Sequence, residues 1–149
     1  MSLDDTILQF YKTATKESPT QNFSKKITSL QGASALTIGL TGSLIGIEST
    51  NTLLEITGII YTGYGTITLL QKEPFNSVPY IPKLFRPLLL ASSALAIAGS
   101  IMLETLIYKS SSYLPSWMVT TPLLFGAFAA HAICVTSKSY VTEIEQQKK

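Results

Sequence analysis

Four windows of about twenty residues run almost without charge, and they limit what this chain can fold into more than any other feature. A bilayer hydrocarbon core about 30 Å thick needs roughly 20 helical residues to cross it. Residues 27–47 carry no charge, 50–70 carry Glu55, 87–107 carry Glu104, and 117–135 carry none beyond the titratable His131. A soluble bundle helix would show a charged face at period 3.6; here Thr, Ser and Gly are scattered among aliphatics. Charged residues make up 13% of the chain, about half the usual ~25%. The expected fold class is an all-α integral membrane protein, with four transmembrane helices as two hairpins and an N-terminal amphipathic helix.

The connections divide the chain into a tail (1–26), a transmembrane domain (27–137) and a polar C-terminal tail (138–149). Glu48–Asn51 reads as a tight turn. Gln71–Arg86 holds three prolines, which stop the second span and delay the third. Pro19 and its polar neighbours read as a linker. In the last window Pro122 sits either within the helix or at its first turn, with Thr121 as N-cap and the helix running to about Tyr140. The segment from Ser139 onward is expected to continue the fourth helix into solvent and fray.

Charge bias sets an orientation. Ten of the eleven basic residues fall in the two tails and the middle loop; Lys109 alone falls on the other side. The positive-inside rule then puts both termini in the cytoplasm, stroma or matrix. Tyr108, Tyr113 and Trp117 sit where an aromatic belt would lie at the opposite interface. The early acids of MSLDD argue against a transit peptide, and the first apolar run starts too late for a signal peptide. A thylakoid or bacterial inner membrane is favoured, with the mitochondrial inner membrane also compatible.

Several function classes are excluded. A net charge of +2 is too balanced for nucleic-acid binding, which needs a basic face. One cysteine, Cys134, permits no internal disulfide and no Cys/His zinc cluster. No Ser/His/Asp set, phosphate loop or HExxH is present, so no enzyme is expected. The GYG of Gly63–Gly65 lacks the context of a potassium filter.

Lipid tails are as apolar as leucine, so helices in a bilayer associate through close packing and polar contacts. Gly42 and Gly46 form a GxxxG on the first span. Ser92, Ala96 and Ser100 form a small-residue row on the third, and Gly126 and Ala130 do so on the fourth. They suit internal packing or contact with other membrane-protein subunits. Leu3, Ile7, Phe10 and Tyr11 recur at helical spacing and suit a membrane surface or partner; packing on the middle loop of the same chain is the alternative.

Intramembrane ionisable groups mark candidate sites. Glu55 and Glu104 lie only about 5–8 Å below the lysine-poor interface at 1.5 Å per residue, and Glu48 sits in the turn on the same side. They either snorkel to water or bind a cation or a partner's basic loop. His131 lies among Ala129, Ala130 and Ala132, small neighbours that leave room for a flat macrocycle such as chlorophyll. The bland alternative is a histidine hydrogen-bonded to a neighbouring helix. The lipid bilayer itself is the other expected ligand.

LLEITGIIYTGY (Leu53–Tyr64) and NSVPYIPKLF (Asn76–Phe85) resemble elements of the curvature-thylakoid (CAAD-domain) family. There the proline turn precedes the glutamate–tyrosine block and joins two spans; here it follows the block in a four-span chain. The resemblance implies a thylakoid protein that oligomerises and shapes membrane through amphipathic helices. From the residues themselves, the expected function is a non-enzymatic accessory or assembly subunit of a larger membrane complex, with pigment or ion binding as the alternative.

Overall fold

A computed structural model describes residues 2–16, 20–70, 81–110 and 114–148, and for 20–24, 116 and 117 the backbone alone. The described residues form five helices: α1 (Leu3–Lys16), α2 (Thr20–Glu48), α3 (Thr52–Leu70), α4 (Phe85–Lys109) and α5 (Ser116–Gln147). The last four are long and apolar enough to cross a membrane. This is an all-α architecture with four candidate spans. Most of the proline-rich loop, the Pro19 region, Tyr113 and the Trp117 side chain lie outside the described residues.

The spans stand in an open row, α3–α2–α5–α4. α2 packs on α3 and on α5, and α4 packs on α5; among the described residues the end helices α3 and α4 do not meet. The α2/α3 pair is backbone against backbone. The Gly42 side-chain position lies 3.6 Å from the Gly58 Cα. A Cβ on Gly39 would collide with the backbone and hydroxyl of Thr62, one on Gly46 with the Glu55 backbone, and one on Gly65 with Leu36. Such close approach gives dispersion contact where lipid offers no hydrophobic drive. The α4/α5 seam is looser: the Gly126 side-chain position lies 3.5 Å from Ser100 Cβ.

The α2–α3 turn closes with the Asn51 N–H on the Gly46 carbonyl (2.8 Å) and the Thr50 N–H on the Ile47 carbonyl (3.3 Å). This is the Schellman pattern, whose left-handed residue is usually glycine; Thr50 occupies it at φ 54°. Asn51 Oδ1 then caps α3 by accepting from the Leu54 N–H at 3.2 Å.

The fourth span decides between the two placements of Pro122. α5 begins at Ser116, so Pro122 lies inside the helix, not at its first turn after a Thr121 cap. The 32 residues of α5 extend about 48 Å at 1.5 Å per residue, well beyond the bilayer core. The overhang is not a fraying tail. Tyr140, Val141 and Ile144 are buried in it, and α1 lies against it.

α1 starts with a capping box. Ser2 Oγ accepts from the Asp5 N–H (3.2 Å) and donates to Asp5 Oδ2 (2.7 Å), which also accepts from the Ser2 N–H. These bonds hold the Asp5 carboxyl below the usual carboxylate range. The helix buries Asp4, Leu8 and Thr15 and packs Leu8, Ile7 and Tyr11 with Tyr140, Ile144 and Leu90. Leu3 and Phe10 stay exposed.

One ionic cluster locks this dock. Arg86, counted as a loop charge from sequence, is the second residue of α4 and is 2% exposed. Its Nε and Nη2 donate to the two Asp4 carboxylate oxygens at 3.0 and 2.6 Å. Its Nη1 donates to Glu143 at 2.6 Å, and Lys83 meets the same carboxylate at 3.3 Å. The guanidinium carbon lies 4.2 Å from the centre of the Tyr140 ring. Tyr11 stacks on Tyr140 at 5.1 Å, and the Tyr140 hydroxyl donates to Asp4 at 2.7 Å.

Removing one partner of such a buried pair strands the other. Asp4→Ala is expected to weaken α1 docking by about 3–5 kcal/mol, and Asp4→Leu with Arg86→Met to recover most of it. Protease release of the first helix in detergent reads both. Thr50→Gly is expected to stabilise the α2–α3 hairpin by about 1 kcal/mol through relief of left-handed strain, measured by thermal unfolding.

Candidate functional site

The polar groups inside the spans collect where α2, α3 and α5 approach. α2 supplies Gln31 and Ser34, both buried and one turn apart. α3 supplies Tyr61 and Tyr64 from the YTGY segment, one turn apart on the side toward α5. α5 supplies His131, half-buried.

The hydrogen bonds set the chemistry of the imidazole. Ser34 Oγ donates its single proton to the Gln31 carbonyl at 2.9 Å. The same oxygen meets His131 Nδ1 at 3.2 Å. This contact holds the ring through Nδ1. The Tyr61 and Tyr64 rings meet the imidazole edge-to-face at 6.4 and 6.1 Å. Tyr61 also meets Phe128 at 6.0 Å, so aromatic rings bridge α3 to α5 although their backbones are not neighbours. Ile60, Tyr61, Tyr64 and His131 line a groove of about 400 Å³ beside this cluster.

Gln31 ties the first span into the cluster and leaves one group over. Its Nε2 donates to the Tyr64 hydroxyl at 2.7 Å, while its Oε1 is buried with no hydrogen-bond partner among the described residues. The sequence signal for Gln31 is its type: it is the one amide side chain inside the first window.

The other candidates scatter. Glu48 is the exposed last residue of α2, and Glu55 is half-buried in the first turn of α3. Glu104 lies apart from them in a groove between α4 and α5. Among the described residues no three His, Cys, Asp or Glu side chains stand close enough to hold a metal ion, so the expected acidic rim is not a shared ion site. On α4, Ser100 faces Gly126 and Ala130 lines the α4/α5 groove. Ser92 and Ala96 point away and are exposed, whereas neighbouring Ser93 is buried. Of the α1 residues, Ile7 and Tyr11 contact the chain's own α5 overhang.

No protein-family model matches the chain, no curated protein matches it, and no solved structure matches its fold.

Tyr64→Phe leaves the Gln31 amide wholly unpaired in the membrane interior and is expected to cost about 1–3 kcal/mol. Adding Gln31→Leu removes the orphaned groups and is expected to return most of the loss. Thermal unfolding in detergent of the two variants side by side tests the assignment; equal destabilisation by the single and the double variant would refute it.

Proposed function

We propose that this protein is a non-enzymatic accessory or assembly subunit of a larger membrane complex. The observation that carries the reading is the unfilled side of α4. Within the chain, Gly39, Gly42, Gly46, Gly58 and Gly65 are consumed in the α2/α3 seam and Ser100 against Gly126, while Gly63 on α3 stands open as a single glycine. On α4, Ser92, Ala96 and Gly99 share one helical face, all exposed, and nothing lies within 4 Å of the Gly99 side-chain position. α4 is one of the two ends of the row and has one transmembrane neighbour among the described residues. A small-residue face on an end helix suits close approach of another transmembrane helix. The charge bias favours both termini on the cytoplasmic, stromal or matrix side, and the CAAD resemblance favours a photosynthetic membrane.

Gly99→Leu and Ala96→Phe are expected to abolish co-purification with partner subunits from native membranes in mild detergent, at unchanged thermal stability of the isolated chain. A monodisperse lone monomer from native membranes would refute the assembly reading.

A second reading rests on His131. The Ser34 contact on Nδ1 is the kind of support that histidine ligands draw from a neighbouring polar group. Among the described residues no three His, Cys, Asp or Glu side chains converge there, so a metal on His131 would bring its own equatorial ligands, as in a chlorophyll-type macrocycle. Visible absorption that disappears in His131→Ala is the expected signature; purified protein without a visible band rejects this reading.

A further inference from the structure

A groove of about 430 Å³ opens between α4 and α5, with α2 as its floor. Its walls are mainly apolar, led by Ile97, Ile101 and Leu123, and one carboxylate, Glu104, lies in it. Glu104 is half-buried, five residues before the end of α4, or about 8 Å of helix. It has no hydrogen-bond or ion-pair partner among the described residues.

Every other polar side chain lining the groove has already given away its proton. Ser34 Oγ donates to the Gln31 carbonyl (2.9 Å) and Thr37 to Ala33 (2.9 Å). Ser100 donates to Ala96 (2.7 Å) and Thr105 to Ile101 (2.8 Å). A hydroxyl has one proton and two lone pairs, so each presents only acceptor capacity. The lining thus offers oxygen acceptors around a carboxylate, and no donor.

We infer that the groove binds an ammonium group carried on an apolar body, with Glu104 as its counter-ion. An intramembrane carboxylate needs a partner, and a lining of acceptors selects one that brings donors. A bare cation is disfavoured. Hard cations take six or more converging oxygens at short range, whereas among the described residues no cluster of three His, Cys, Asp or Glu side chains exists, and the space is that of an organic molecule. The apolar walls accept the hydrocarbon part. The ammonium comes either from a free amphiphilic amine or from an amine lipid headgroup. The inference is independent of the α4 assembly face and of His131.

The test uses the full chain in phosphatidylcholine nanodiscs and dodecylammonium as probe, with dodecanol as the uncharged control. Saturable binding of the amine, none of the alcohol, and at least a tenfold loss in Glu104→Gln are expected. Gly126→Leu, which fills the groove without touching the charge, is expected to lose binding as well. Glu55→Gln removes a carboxylate from α3, at the opposite end of the row and outside the groove, and is expected to bind as the wild type does. Unchanged binding in Glu104→Gln, or equal loss in Glu55→Gln, overturns the assignment. So does non-saturable uptake matching empty nanodiscs. Adding phosphatidylethanolamine separates the sources: displacement of the probe assigns the site to a lipid headgroup amine, and no displacement assigns it to a free amine.

Discussion

The Arg86 guanidinium holds together parts of the chain that otherwise have little reason to meet. It lies at the start of α4, pairs through two bonds with Asp4 of α1, reaches Glu143 near the end of α5, and sits over the Tyr140 ring. A charge this deeply buried is tolerable only when its donors are matched, and a planar fork against a carboxylate achieves that. Tyr140 is sandwiched between the cation and Tyr11, and its hydroxyl completes the Asp4 shell. The first helix, the entry to the third span and the overhang of the fourth are therefore one unit. The Ile7, Leu8 and Tyr11 side of α1 and the Tyr140–Ile144 side of the overhang are covered by one another, while Leu3 and Phe10 stay exposed.

At mid-membrane the chain is held by different forces. α2 and α3 touch backbone to backbone through glycine, which maximises dispersion where hydrophobic drive is absent. α2 and α5 are joined by the Ser34–His131 bond, and α3 reaches α5 only through aromatic rings. Because α3 and α4 never close the row, grooves open on either side of α5, one by the tyrosines and His131, the other by Glu104. An open row offers both a lipid-facing edge for another helix and recesses for small molecules, which a closed bundle of the same four helices would fill with its own side chains.

Much of the fold was legible in the residues. Long uncharged windows bounded by turn and proline signals identify spans whatever their neighbours, because span length and desolvation of charge are local properties. His131, Glu55 and Glu104 stood out for the same reason: each is a costly residue in an apolar run. Gln31 and Ser34 did not, because an amide or a hydroxyl in a span is common and acquires meaning only from what faces it. Arg86 was misread as a loop cation, since its partners lie 82 positions earlier and 57 later. Pro122 was ambiguous because a proline within the first turns of a helix has almost the same local signature as one at its start.

The sequence by itself determined the class: an all-α chain with four apolar helices of membrane-crossing length, a helical N-terminal segment, and only a few ionisable residues within reach of the bilayer. Those follow from composition and periodicity, which act residue by residue. Only the tertiary structure decided the order of the row, the docking of α1 on its own chain, the Ser34 contact of His131, and the separation of Glu104 from Glu48 and Glu55. Each of these depends on which face of one helix meets which face of another. In a membrane that choice is made by close packing and by matching donors to acceptors across helices, and both are properties of pairs of surfaces distant in the chain.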